Sequence, residues 1–296
     1  MYDVIIIGMG IGGITAGIYG KRAGLNVLMF EKSAPGGMLQ KIDKIQNYPG
    51  FSEISGPDLA LNLFNQVKKV GVPFKFEEVI DVEITEEYKK VITKNGTYEA
   101  KNIIVATGRT PKYLGLDNEK DYLGRGLSTC ASCDGNFYKG EDVAVVGSGN
   151  SALQESLYLA NIVNKVYLLH RGVNFKGDDA LVERVRNTKN IEIVDGVNIK
   201  KINEVEGKIE SVTLDNEKTI NVKGVFIYIG YKPDTDMFKK LDITNINGDI
   251  IVGENFETEI DGLYAIGDCA KKGVYQLVTA ASDGCIAVSD IEKIRN

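Results

Sequence analysis

Cys130 and Cys133 are separated by Ala131 and Ser132 and followed directly by Asp134 and Gly135. Two thiols at that spacing can close a small disulfide ring and reopen it by taking up two electrons. Only a thiolate is nucleophilic, so the neighbouring Asp134 is a candidate acid/base that moves a proton to or from a departing thiolate. An Asp in that position also serves as a turn or cap residue. Cys269 and Cys285 read as small buried packing residues. A four-ligand zinc site would have to gather these scattered cysteines or the single histidine, His170, so no metal is expected.

A redox pair needs an electron source, and a nucleotide-binding signature stands on each side of it. Asp3 to Ile7 is a short buried-strand pattern running into Gly8, Gly10 and Gly13, a helix-compatible stretch to about Gly24, and a second strand, Asn26 to Phe30, ending at Glu31. Asp142 to Val146 leads in the same way into Gly147, Gly149, Asn150, Ser151 and Ala152, a helical stretch to about Asn161, and the strand Lys165 to Leu169. The first glycine makes the tight turn and the second lets the backbone approach a pyrophosphate. The third, or a small Ala, lets the helix pack close to the strand.

The two copies differ where the ligand is chosen. Glu31 is an acid able to accept ribose hydroxyl bonds, which suits FAD at the first site. The second strand of the other copy ends in His170 and Arg171, with Lys176 close behind. That basic cluster favours the 2′-phosphate of NADPH over NADH, which remains possible. Far along the chain, Leu263 to Ile266 is a strand entering Gly267-Asp268, a turn able to set Asp268 beside a polar cofactor tail. An Asp there is also a common helix cap. Segments 103–108 and 225–230 read as the closing strands of the two units. The expected architecture is α/β, with two Rossmann-like, three-layer ββα dinucleotide-binding domains, the second inserted into the first. Residues 1–112 and 241–296 would form the FAD-binding domain, and 113–240 the NAD(P)-binding domain carrying the CxxC.

The bulk numbers agree with such an enzyme. A chain of 296 residues is long enough for two cores. The formal charge of −6 argues against nucleic acid as a partner. No apolar run approaches the ~20 residues that span a bilayer. No targeting segment is visible, so no membrane association and a cytoplasmic location are expected.

The pieces GMGIGG at 8–13, GGML at 36–39, NYPGF at 47–51, ATG at 106–108, CASCDG at 130–135, GSGNSA at 147–152 and GDC at 267–269 come in a particular order. In that order they resemble the low-molecular-weight, bacterial-type thioredoxin reductases, flavoproteins of class II of the pyridine nucleotide-disulfide oxidoreductases. The resemblance covers essentially the whole chain. It implies tightly bound FAD, a homodimer, and a rotation of one domain against the other, for which segments 111–115 and 236–242 are candidate hinges. It adds Gly37, Met38, Leu39, Asn47, Ala106, Thr107, Gly108, Tyr275 and Gln276 to the cofactor-binding residues. It also implies that Cys133 faces the flavin and that Cys130 attacks the disulfide of thioredoxin or a thioredoxin-like protein.

Three motifs depart from the family pattern. HRRxxxR becomes His170-Arg171-Gly172-Val-Asn-Phe-Lys176, the final RQ becomes Tyr275-Gln276, and Met38 stands where Gln is usual. Lys cannot make the bidentate contact of Arg. The electron donor is therefore read as NADPH, with NADH or ferredoxin as alternatives. A flavoprotein reductase acting on something other than thioredoxin is the remaining alternative.

Overall fold

A computed structural model describes residues 1–85 and 87–295. The chain forms two compact units, one made of Met1–Thr110 with Lys232–Asn296 and the other of Pro111–Tyr231.

In the first unit the apolar run Val4 to Ile7 forms the middle of a parallel sheet. The strand Tyr2–Ile7 lies between Val27–Glu31 and Gly96–Val105, with Phe74–Phe76 and Leu263–Ala265 outside them. A strand with neighbours on both edges and layers on both faces must be apolar throughout, which is why no alternation shows in this segment. Ile6 stands in register with Met29 and Ile104. Val4 and Ile6 pack with Ile14, Ile18, Val288 and Ile291 of the helices Ile11–Arg22 and Leu277–Arg295. Ile5 and Ile7 point the other way, into a cluster with Val82 and Val91 of the antiparallel strands Val79–Ile84 and Lys89–Thr93. These are the three layers expected.

The second unit repeats the plan. Its five parallel strands run in the order Ile191–Asp195, Lys165–His170, Asp142–Val146, Gly224–Ile227 and Leu127–Ser128. Val143 and Val145 face the helices Asn150–Ala160 and Asp179–Arg186, in one cluster with Leu153, Leu159 and Val185. Ala144 and Val146 face the antiparallel strands Ile199–Val205, Lys208–Leu214 and Thr219–Asn221, through Ile202, Val212 and Ile220.

The chain re-enters the first unit at Lys232, earlier than the 241 read from sequence. The reason is Phe238, in the short turn Asp236–Leu241, which is fully buried in the cluster of Ile7, Val105, Ile243 and Ile250. A lone aromatic in a polar segment gives no sequence signal for which core it fills. Among the described residues no helix is long and apolar enough to cross a membrane.

Candidate redox centre and nucleotide turns

In the second unit Cys130 and Cys133 are joined as a disulfide. Cys130 caps a four-residue helix, Ala131–Asp134, that contains Cys133 and follows the buried strand end Ser128. Cys130 is half-buried and Cys133 exposed. A set of hydrogen bonds holds this turn. The Ser128 hydroxyl accepts the Cys130 N–H at 3.0 Å and lies 2.6 Å from Asp134 Oδ2. The Asp134 N–H donates to Cys130 O. The Ala131 N–H donates to the Tyr228 hydroxyl at 2.7 Å, across 97 residues of sequence. Burial pushes the Tyr228 phenol far above its usual range, so it stays neutral. Phe137, just beyond the pair, is 82% exposed.

The adjoining glycine turn is open where a ligand would need space. A Cβ on Gly149 would meet nothing within 4 Å, whereas one on Gly147 would lie 2.4 Å from Tyr228 O. Gly149 caps the helix Asn150–Ala160 without a side chain, leaving the amides of Asn150, Ser151 and Ala152 available to a phosphate. The segment after His170 folds back onto this turn. Lys176 and Gly177 N–H donate to Ser148 O, and Asn150 exchanges two bonds with Asp178. Arg171 and Lys176 are exposed, and neither side chain makes an ion pair among the described residues. His170 is 2% exposed, with its ring against Phe175. Its Nε2 approaches Asp195 Oδ1 at 2.6 Å, but off the angle of a hydrogen bond, and Nδ1 has no partner.

In the first unit Gly8, Gly10 and Gly13 differ in the room around them. Gly8 has φ +107°, and a Cβ there would lie 2.4 Å from Ala106 O. A Cβ on Gly13 would lie 2.0 Å from Gly8 O, while one on Gly10 would enter open space. Gly10 caps the helix Ile11–Arg22 with no side-chain bond. Glu31 is 7% exposed, and its Oε2 accepts the Met9 N–H at 2.8 Å, so the acid stands against the turn itself. Its Oε1 accepts from Ser33 N–H. The open cradle, the uncapped helix start and the buried acid together fit the pyrophosphate and ribose of a dinucleotide such as FAD.

The outlying predicted residues are brought to the same unit. Gly37, Met38 and Leu39 lie in a single turn that starts after Gly36, whose N–H donates to Met9 O. Asn47 Nδ2 donates to Gln276 Oε1, 229 residues away. Ala106, Thr107 and Gly108 follow the strand Gly96–Val105. The Thr107 hydroxyl is buried with no hydrogen-bond partner by geometry among the described residues, and the Cys269 thiol lies within reach of the Val105 and Ile266 carbonyls. Burial pushes that thiol up, in keeping with a packing role, and Cys285 is half-buried. Asp268 is half-buried, with its carboxyl raised by that burial and only partly relieved by Lys272 and Arg109.

Sequence reasoning missed four residues around Gly267–Asp268. Arg109 donates to Asp268 O and to Asp249 Oδ1, and its guanidinium lies 4.5 Å from the Tyr275 ring. Asp283 accepts Gly267 N–H and Lys272 Nζ. Tyr228 and Ser128 were likewise unforeseen. These are single polar residues in ordinary segments, with no motif to mark them.

The pyridine nucleotide-disulphide oxidoreductase family matches residues 2–284 of the chain. A thioredoxin reductase of Bacillus subtilis is 38% identical over 297 residues, covering 99% of this chain and 94% of that protein. Among solved structures, the thioredoxin reductase of Lactococcus lactis in its FR conformation is 33% identical, with a TM-score of 0.87, over 99% of this chain and 98% of that one. A ferredoxin-flavin thioredoxin reductase of Clostridium acetobutylicum is 30% identical, with a TM-score of 0.56, over 99% and 98% of the two chains.

Proposed function

The chain belongs to the pyridine nucleotide-disulphide oxidoreductase family, as a low-molecular-weight thioredoxin reductase, and on that premise we propose that it passes electrons from NADPH through FAD to the Cys130–Cys133 disulfide and on to a thioredoxin or thioredoxin-like protein in the cytoplasm. Its activity is thioredoxin-disulfide reduction. The observation that carries the electron route is the closed disulfide built into the same unit as the second glycine turn, with the Asp134 side chain in the same turn.

The first turn (Gly8, Gly10, Gly13) holds the FAD pyrophosphate on the amides of the helix Ile11–Arg22, and Glu31 orients the adenosine ribose. Gly37, Met38, Leu39, Asn47, Ala106, Thr107, Gly108, Gly267, Asp268, Tyr275 and Gln276 complete that site. Gly147 to Ala152 hold the nicotinamide nucleotide, with Arg171 and Lys176 as the cations for its 2′-phosphate and His170 closing the strand end. When bound, the two cofactors supply a hydride and then the electron pair that opens the disulfide.

Reduction of Cys130–Cys133 breaks the S–S bond and leaves one thiol and one thiolate, the thiol taking its proton from Asp134. The Cys130 thiolate then attacks the disulfide of thioredoxin, and Cys133 resolves the mixed disulfide. Phe137 offers the partner an apolar contact beside the pair. The enzyme works as a homodimer, a reading that rests on the family resemblance.

Anaerobic titration of the yellow protein tests the donor. Stoichiometric NADPH is expected to bleach the flavin and NADH to act weakly, with Arg171→Ala reversing much of that preference. Bleaching by dithionite alone would instead favour ferredoxin. The Clostridium structure, and Gly172 in place of a second arginine, support that second reading. Cys130→Ser is expected to abolish thioredoxin turnover with either donor.

A further inference from the structure

Disulfide chemistry does not itself require the hydroxyl of Ser128, yet this residue is 3% exposed and fully engaged. It accepts the Cys130 N–H at 3.0 Å, and it lies 2.6 Å from Asp134 Oδ2 and 3.3 Å from Cys130 O. A hydroxyl has one proton to donate, and the shorter contact assigns it to Oδ2 of the Asp134 carboxyl group. The result is a one-way chain from the Cys130 amide through the Ser128 hydroxyl to Asp134. Ser128 is anchored in the sheet, in register with Phe226, whereas Asp134 ends a helix of only four residues. The Ser128 hydroxyl thus ties the Asp134 side chain to the sheet.

We propose that Ser128 is a positioning residue for proton transfer at the Cys130–Cys133 pair, holding Asp134 where its carboxyl can serve the departing thiolate. The proposal rests on Asp134 as the acid/base of the reaction given above. Two electrons break the S–S bond and generate two thiolates. Asp134 gives one of them a proton and is left as a carboxylate, which the Ser128 hydroxyl stabilises until water reprotonates it. Titratable groups near Asp134 include Cys130 and Cys133 in its own turn, Tyr138 in the turn that follows and Tyr228 after the strand Gly224–Ile227, with Glu155 and Tyr231 acting in turn on Tyr228. Burial raises both Tyr138 and Tyr228, so neither ionises near neutral pH.

The test uses the full-length holoprotein with dithiothreitol as the electron source, so it depends on neither the nucleotide nor thioredoxin. The rate of disulfide opening, trapped by alkylation, is followed from roughly pH 6 to pH 9, across the ordinary thiol range. Ser128→Ala is expected to slow opening on the order of tenfold at the acid end, with the deficit closing as thiolates leave without a proton. Ser128→Thr restores the rate. Ser128→Val, the isostere of that variant, does not, and it serves should the Ala variant fail to fold. Asp134→Asn shows the same pH signature, and the double variant with Ser128→Ala is no slower than Asp134→Asn alone. Glu155→Gln leaves the pH dependence in place.

A Ser128→Ala deficit equal at every pH, or losses that multiply in the double variant, would overturn the proposal. So would an Asp134→Asn deficit with a wild-type rate for Ser128→Val. An Asp134→Asn variant with the wild-type profile would remove the acid–base reading itself, and the role of Ser128 with it.

Discussion

At the scale of single residues, Asp268 illustrates how a binding group is held at a cost to stability. Its carboxyl is raised by burial, with Lys272 and Arg109 offsetting part of the shift and Asp283 adding to it. An acid whose folded-state pKa exceeds the unfolded value favours folding below the unfolded pKa. That contribution is lost as pH rises through the folded one. At neutral pH the ionised Asp268 therefore opposes folding in the flavin-free protein. Asp268→Asn is expected to raise the thermal midpoint of the apoprotein at pH 7, by an amount that shrinks on acidification, while weakening flavin retention. Scanning calorimetry at two pH values, with flavin content measured alongside, checks both halves. Tyr228 makes the opposite case. Removing its hydroxyl with Tyr228→Phe leaves the buried Ala131 N–H without an acceptor, which should cost about 1–3 kcal/mol in urea unfolding.

At the scale of elements, the two glycine turns separate structural from functional demands. Gly13 has no room for a side chain, since its Cβ would stand 2.0 Å from Gly8 O. Gly13→Ala is therefore expected to destabilise the first unit by at least about 3 kcal/mol. Gly10 has φ −72° and open space around it, a conformation that Ala adopts freely. Gly10→Ala should fold within about 1 kcal/mol of the parent. It should nevertheless lose flavin, because its methyl occupies the cradle through which the pyrophosphate reaches the helix amides. Absorbance per mole of purified protein, set beside a urea titration, separates the two outcomes. Equal flavin content in the Gly10→Ala variant would refute the assigned site.

At the scale of the whole molecule, each unit has its own parallel sheet with a hydrophobic cluster on each face. A ligand stabilises only the unit that binds it, by about 2.7 kcal/mol at a hundredfold excess over its dissociation constant. Flavin added to the apoprotein should thus protect Met1–Thr110 and Lys232–Asn296 from hydrogen exchange, and NADPH should protect residues near Gly147–Ala152 and Lys176. If NADPH protected no amide in Pro111–Tyr231, the nucleotide assignment there would fail.

How much of this was legible beforehand follows from where the information lies in the chain. The sequence alone determined both strand–turn–helix units, the CxxC pair between them and the acid at Glu31, because each is a local pattern whose spacing follows from backbone geometry. It also determined that the second unit is an insertion, since the Gly267–Asp268 strand end resumes the first. Only the tertiary structure decided that Phe238 belongs to the first core, that Asn47 meets Gln276, and that Asp283 ties Lys272 to Gly267. The links from Ser128 to Asp134 and from Tyr228 to Ala131 belong to the same class. These contacts join single side chains of ordinary composition. Which hydroxyl faces which carboxylate or amide is settled when sheets and helices close around a core, and no periodicity along the chain records it.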